Sequence, residues 1–506
     1  MTGHVPVTPK QPDVSISAQA ASGVFWLTVQ KWAIRISGLV TIAVLTRVLS
    51  PQDFGTVAAA STVLPFFYLL SDIGFMAYIV QVDKVDRRML STSFWFSSLA
   101  GLLLAGALIG AAPLFGGVFG SAEFVPVLQV LSLGVVLTSV SSVPMALLRR
   151  EMRFRAIAVQ GTASAVVAQV VAVTMTLTGF GVWALVGQAL SSQVVMVVLA
   201  WLAAKWVPAF EFSRREFSTM ARFGSNVLGV EFIAMCRAWG EAAIISSTLG
   251  LSALGFLNIA QRLVQIVQDL TGAALVTVST SAFAKIKESS GRLQRAYVRA
   301  LRMTYAAMSP PLTLLAIAAP LILPVVFGSG WEQSARVAQV VALSGILVVG
   351  ASLDQGLFYG VGKPGQWFLY AVIIDTCSVV VTAITAQWGL QAVAVGFLVV
   401  AAFATASRWF LVAKLLKVSP RALVGPFGFL AVAVLAGGGA GLLVLAVSAD
   451  LLPIVRIAIT GLAVLLAYLV VLRLLARQVI DELAGFIPRF TRATRFRAST
   501  TPTDLS

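Results

Sequence analysis

The chain's first long apolar run, residues 24–46, reads VFWLTVQKWAIRISGLVTIAVLT. A helix of about 20 apolar residues crosses the hydrocarbon core of a bilayer, which is about 30 Å thick. Lys31 and Arg35 lie inside this run, four residues apart, so a helix places both on one face. Because a cation at the centre of a bilayer costs about 3 kcal/mol or more, we expect this face to line a polar cavity. The run therefore predicts a membrane helix beside a route for an anionic, lipid-borne substrate.

Similar apolar runs recur along the whole chain, which is 58% hydrophobic and 11% charged. They predict an all-α polytopic membrane protein with about fourteen transmembrane helices and no soluble domain. The predicted spans are residues 24–46, 54–80, 92–112, 124–147, 156–178, 182–204, 222–248, 253–283, 300–326, 334–358, 366–386, 390–411, 424–447 and 454–474.

The basic residues are distributed unequally between the loops that join these spans. With the N-terminus in the cytoplasm, the outside loops hold only Arg47, Arg336 and Arg456. The remaining loop cations fall inside, in residues 84–88, 149–155, 205–222, 285–302, 363, 414–421 and 473–497. By the positive-inside rule, both termini are expected in the cytoplasm. The net charge of +16 therefore reflects topology and anionic lipids, and no nucleic acid is expected as a partner.

The chain resembles itself at an offset of about 200 residues. Residues 49–55, LSPQDFG, correspond to 249–255, LGLSALG, and two later matches keep the same order. An offset of six spans keeps both copies in one orientation, which is the pattern of parallel transporter repeats. The sequence therefore predicts two six-helix lobes in a pseudo-twofold arrangement, with two helices appended at the C-terminus.

This reading sets the expected domain boundaries. They are a cytoplasmic tail (1–23), an N-lobe (24–204), a cytoplasmic inter-lobe linker (205–221), a C-lobe (222–411), helices 13 and 14 (424–474) and a basic cytoplasmic tail (475–506).

Polar residues cluster on the helices that the repeat makes equivalent. Span eight carries a stripe at helical spacing that includes charges, which indicates a water-lined face. Spans one, two, seven and eight are expected to face one central cavity. The predicted substrate-binding residues are Lys31, Arg35, Arg237, Arg262, Asn258, Gln261 and Gln265. The predicted residues for ion coupling or charge pairing are Asp72, Glu231, Glu241 and Asp269.

Some of these residues have a second interpretation. Lys31 can form a structural pair with Asp72, which leaves Arg35 for the substrate, and Arg237 can pair with Glu231 or Glu241. Helix packing or snorkelling to the interface is the expected role of four other polar residues, which are Asp354, Gln355, Asp375 and Arg408.

The sequence offers no catalytic constellation. Its single histidine, His4, lies in the N-terminal tail, and no Walker motif or metal-ligand cluster is present. The outside loops are too short to house a membrane polymerase or ligase. We therefore expect no catalytic residues, no metal and no cofactor, and a protein that is not an enzyme.

Several motifs resemble a known family. They are LTRVLSPQDFG at residues 45–55, TSFW at 92–95, LLRREMRF at 147–154 and GFGVWALV at 179–186. This pattern resembles the bacterial polysaccharide repeat-unit flippases of the MOP superfamily, in the branch that includes the colanic acid exporter.

The resemblance implies two lobes that alternate between inward-open and outward-open states around a central cavity. It implies a polyprenyl-pyrophosphate-linked oligosaccharide as substrate, membrane lipids around the protein, and work beside a polysaccharide polymerase and assembly proteins. Capsule, exopolysaccharide and O-antigen are products of this kind. The cationic cavity predicted from the residues suits a pyrophosphate, because guanidinium donors match phosphate oxygens.

A cation-coupled multidrug exporter of the same fold is the alternative. Such an exporter needs buried carboxylates for a cationic drug and its coupling ion, and Glu231, Glu241 and Asp269 keep it open. The two cations of the first span favour the flippase.

Overall fold

A computed structural model describes residues 34–35, 37–227, 229–286, 289–424 and 427–480, with side chains described except at 223–231, 269–282, 284–285, 290, 422 and 424. Within these ranges all regular structure is helical. Eleven of the described helical segments are long and apolar enough to cross a membrane. The all-α polytopic fold class is therefore confirmed.

The helices of the first half follow the predicted spans closely. They are α1 (residues 37–45), α2 (Pro51–Asp72), α3 (Phe75–Gln81), α4 (Arg87–Phe119), α5 (Phe124–Leu131), α6 (Leu133–Arg150), α7 (Phe154–Leu177), α8 (Trp183–Ala204) and α9 (Arg214–Val227).

The remaining helices form the second half of the chain. It contains α10 (Gly229–Leu249), α11 (Leu251–Lys285), α12 (Ser290–Phe327), α13 (Glu332–Val348), α14 (Ala351–Gly360), α15 (Pro364–Thr385), α16 (Leu390–Leu416), α17 (Pro420–Val424), α18 (Gly428–Val447) and α19 (Pro453–Leu475). A short 3₁₀ turn, Ala386–Trp388, joins α15 to α16.

The eleven candidate spans correspond to eleven of the predicted ones. The other three predicted spans coincide with α1, α10 and α11, and α10 and α11 carry most of the polar residues singled out above. The count of about fourteen therefore stays a prediction.

The turn between α1 and α2 shows why the helix boundary falls there. Ser50 caps α2, because its hydroxyl accepts from the Asp53 amide while the Asp53 carboxylate accepts from the Ser50 amide at 2.9 Å. Pro51 occupies the first helical position, where its missing N–H costs nothing. This capping box fixes the start of α2 on the motif quoted above.

Some spans that the sequence predicts as continuous are broken. Ile73 and Gly74 adopt left-handed conformations, with φ of 45° and 74°, and they end α2 before α3 begins. The predicted single helix over 54–80 is wrong at this point, because two successive residues with positive φ cannot continue a right-handed helix. A second break separates α13 from α14 at residues 349–350.

The helices α2 and α11, which the predicted repeat makes equivalent, meet at a glycine pair. A Cβ on Gly55 of α2 would overlap the Leu251 carbonyl oxygen, and a Cβ on Gly255 of α11 would overlap the Pro51 carbonyl oxygen. Only glycine at both positions allows the two backbones to touch. The contacts are reciprocal between positions that the repeat pairs with each other, which is the pattern that a local twofold axis produces.

The region between the predicted lobes is ordered and packed. Trp95 of α4 donates from Nε1 to the Ala209 carbonyl oxygen at 2.8 Å, and its ring stacks on Phe210 at 5.0 Å between centroids. The Phe217 ring of α9 lies 4.8 Å from that of Phe96. The segment 205–221, predicted as a linker, is thus fastened to α4.

Candidate functional site

A cavity of about 360 Å³ lies between α1, α2, α7, α8 and α11. Each helix lines it with residues that recur at helical spacing, as an inward-facing stripe requires. The lining residues are Ile34, Arg35, Gly38, Ile42, Phe54, Val57, Ala58, Ser61, Ala165, Ala168, Gln169, Leu185, Gln188, Ala189, Ser192, Asn258, Arg262 and Ile266.

The cavity brings together three of the predicted substrate-binding residues. Arg35 enters from the helical residues just before α1, and Asn258 and Arg262 enter from α11, where they lie one turn apart. The two guanidinium charges are close enough to repel each other. The described lining contains no carboxylate, so this part of the cavity is positive. An anion that bridges the two arginines would relieve the repulsion and gain charge-assisted hydrogen bonds.

Another part of the cavity lining is polar but uncharged. Gln169 of α7 and Gln188 and Ser192 of α8 line it, and the Gln169 side-chain amide donates to the Ser37 hydroxyl at 3.0 Å. The sequence analysis missed these residues, because a single glutamine in an apolar helix most often joins helices. Only the packing of α7 and α8 shows that they face the cavity.

Aromatic rings close the end of the cavity nearest the α1–α2 turn. Phe54, which lines the cavity, makes an edge contact with Trp331 at 5.3 Å, and Phe256 contacts the same indole at 5.8 Å. The Trp331 indole is buried and donates to the Thr46 carbonyl oxygen at 2.9 Å. These bonds join the first copy of the repeat to the second across the closed end.

Residues 44–336 match the sequence profile of the family described as polysaccharide biosynthesis protein. The chain belongs to this family. The succinoglycan biosynthesis transport protein ExoT of Rhizobium meliloti is 30% identical over 336 residues, which cover 66% of this chain and 68% of ExoT.

Two solved structures have folds similar to that of this chain. The lipid II flippase MurJ in an inward closed conformation superposes with a TM-score of 0.74 at 14% identity, over 90% of this chain and all of MurJ. An inward-facing multidrug resistance MATE transporter of the MOP superfamily gives a TM-score of 0.59 at 16% identity, over 78% of this chain and 99% of the MATE chain. The sequence profile confirms the predicted family, and the two structures show the fold.

Other predicted site residues lie elsewhere or cannot be placed. Gln261 and Gln265 are exposed on α11 and do not belong to the cavity lining. Lys31 lies outside the described residues, and the side chains of Glu231 and Asp269 are likewise not described. Their proposed roles stay predictions.

Arg237 lies between two carboxylates in this structure. Its Nη1 is 3.0 Å from a Glu241 oxygen one turn along α10, and its Nε is 3.0 Å from Asp375 Oδ1 on α15. The Ser378 hydroxyl donates to the other Glu241 oxygen at 2.5 Å. This arrangement is the Arg237–Glu241 pair that the sequence offered as one option, with Asp375 as an unforeseen member.

Asp72 is a polar anchor at the end of α2. Its carboxylate accepts from the Ser142 hydroxyl on α6 and from the Met76 amide at 3.2 Å. These bonds hold α3 and α6 against the break at residues 73–74.

A second buried ion pair supports the broken helix α13–α14. Arg408 of α16 and Asp354 of α14 lie 2.6 Å apart with almost no exposed surface, and the Tyr297 hydroxyl donates to the same carboxylate. The Leu347 carbonyl oxygen, freed by the break, accepts from Tyr305 at 2.8 Å and from Arg408 at 3.2 Å. The packing role expected for Asp354 and Arg408 fits these contacts.

Proposed function

We propose that this chain is a transporter that flips polyprenyl-pyrophosphate-linked oligosaccharides from the cytoplasmic to the periplasmic leaflet for polysaccharide biosynthesis. The observation that carries the proposal is the cavity with two arginines and no carboxylate in its described lining. Such a cavity holds a diphosphate away from water, where each guanidinium–phosphate contact is stronger than in bulk solvent. The name of ExoT as a transport protein of polysaccharide biosynthesis supports the same function.

The proposed mechanism is alternating access between two six-helix lobes. The contact of Gly55 with Gly255 and the Trp331 cluster form, in this proposal, the periplasmic gate that is closed in the present state. The orientation is inferred from the loop cations, which favour cytoplasmic termini. The resemblance to the flippase family implies the inner membrane of a bacterium. Opening at this gate separates α2 from α11 and moves Arg262 away from Arg35.

Coupling to an ion, where transport uses one, is assigned to the acidic residues of the two halves. Among those with described side chains, Glu241 and Asp375 share the Arg237 guanidinium and leave one net negative charge in the group. Asp72 is the corresponding candidate in the first half, and Glu231 and Asp269 complete the predicted set. A polysaccharide polymerase and assembly proteins are the proposed protein partners.

The proposed transporter needs no catalytic residues. A multidrug exporter of the same fold is not favoured, since the described cavity presents positive charge where a cationic drug requires negative charge.

Arg35 gives the direct test of the cationic cavity. Cells that lack the chromosomal copy are complemented with Arg35→Ala or Arg35→Lys, and exported polysaccharide and membrane protein level are both measured. We expect the alanine variant to export much less than the lysine variant at equal protein level, because lysine keeps the charge. Arg336→Ala, which removes an exposed cation outside the cavity, serves as the control. Loss of folded protein in both Arg35 variants would instead indicate a structural role.

A further inference from the structure

The glutamines that line the uncharged part of the cavity differ from other glutamines of this chain in what their side chains contact. Gln160 of α7 donates to the Leu199 carbonyl oxygen at 3.0 Å, and Gln193 of α8 donates to the Tyr68 hydroxyl at 3.1 Å. Both join helices and neither lines the cavity. Gln188, five residues before Gln193 on the same helix, does line it.

Within the part of the chain that the structure describes, the side chains of Gln188, Ser192 and Asn258 form no hydrogen bond to protein. All three are half-buried and line a cavity between helices. A polar group withdrawn from bulk water needs a partner, and these groups offer both donors and acceptors. Gln188 and Ser192 lie one turn apart on α8, so their free groups point the same way.

Neutral donor and acceptor groups suit sugar hydroxyls, whereas the arginines suit phosphate. The cavity holds both sets, and its volume is near the lower end of the range for small-molecule pockets. A diphosphate and the first sugar fit this volume. That sugar is bonded directly to the diphosphate, so it lies against the wall beside the arginines.

We propose that Gln188, Ser192 and Asn258, with Gln169 beside them, form a subsite that recognises the sugar attached to the diphosphate. Gln169 is held by Ser37, which leaves its amide oxygen for a sugar hydroxyl. The subsite rests on the proposed flipping function and adds to it, because it makes transport sensitive to the proximal sugar as well as to the lipid diphosphate. The distal sugars lie beyond this subsite.

The test compares two probes on purified protein in lipid nanodiscs. One is the lipid-linked oligosaccharide extracted from cells deleted for this transporter, and the other is the polyprenyl diphosphate without sugar. We expect Gln188→Leu to weaken binding of the sugar-bearing probe by roughly 2- to 10-fold, the value of one neutral hydrogen bond. Binding of the bare diphosphate should stay within a factor of about two, which also reports that the variant is folded.

Two further variants separate the possible outcomes. Arg262→Ala should weaken both probes, and Gln193→Leu, whose glutamine is on the same helix but outside the cavity, should leave the ratio of the two affinities unchanged. If Gln188→Leu does not fold, Ser192→Ala, which removes a single oxygen, gives the same comparison.

An equal loss for both probes in Gln188→Leu or Ser192→Ala, or no loss for either probe, would overturn the sugar subsite while leaving the flippase proposal in place. Failure of the wild-type protein to bind either probe would overturn the flippase proposal itself.

Discussion

Removal of Arg262 is expected to affect transport and stability in opposite directions. The side chain lies in the cavity with Arg35, and the two positive charges repel each other in the empty protein. Arg262→Gln removes that repulsion, so the empty variant should unfold at the same temperature as the wild type or above it. Binding of a polyprenyl diphosphate should weaken, because a hydrogen bond between charged groups contributes about 1.5–3 kcal/mol. This corresponds to a loss of roughly 10- to 150-fold in affinity.

The assay pairs thermal unfolding in detergent with diphosphate binding in nanodiscs. Arg262→Lys is the matched control, since it keeps the charge but loses the planar fork of donors, and it should fall between wild type and Arg262→Gln. A variant that unfolds earlier, with a loss of binding in proportion to the loss of folded protein, would refute the reasoning. Unchanged affinity in a fully folded Arg262→Gln protein would refute it equally.

Three further perturbations follow from the contacts described above. Gly255→Ala should prevent the α2–α11 contact and leave the proposed periplasmic gate open. In a Phe54→Cys background the new thiol should then react with a membrane-impermeant thiol reagent added outside. If the thiol is protected as well as it is in the variant that keeps Gly255, the result contradicts this prediction. Arg408→Leu should destabilise the protein by about 3–5 kcal/mol, because it leaves Asp354 buried without its cation. Adding Asp354→Leu should recover most of that loss of stability. Thermal unfolding measures both variants, and additive losses would argue against a paired role. Arg237→Gln should lower stability unless Glu241, its carboxylate partner on α10, is also neutralised. A stable double variant that no longer transports would instead assign the Arg237 guanidinium to the substrate.

The helices could be predicted from the sequence because lipid imposes a strong constraint on it. Every backbone polar group must be satisfied within a span, so apolar runs of sufficient length become helices. The helix breaks were harder to predict from the sequence. Ile73 is a β-branched residue in a left-handed conformation, which local propensity does not suggest. The docking of residues 205–221 was also hidden, since it depends on Trp95 and the Ala209 carbonyl oxygen, which are distant in sequence.

The cationic part of the cavity could be predicted and the neutral part could not. A charge in a membrane helix is energetically costly, so Arg35 and Arg262 predict a polar surface beside their helices. The predicted repeat indicates that these two helices meet. On α11 the lining of this cavity includes Asn258 and Arg262, whereas Gln261 is exposed and lies outside it, so the wider stripe stays a prediction. A glutamine such as Gln188 carries no comparable cost, and only the tertiary structure separates it from helix-joining amides.

The leaflet distribution of the lipid-linked oligosaccharide tests the central claim most directly. It is measured in cells with and without this protein, by a probe that reaches only the periplasmic side of the inner membrane. Deletion should cause the oligosaccharide to accumulate on the cytoplasmic side, and the wild-type chain but not Arg35→Ala should relieve that accumulation. An unchanged distribution, together with altered sensitivity to cationic drugs, would contradict the flippase and favour the multidrug exporter.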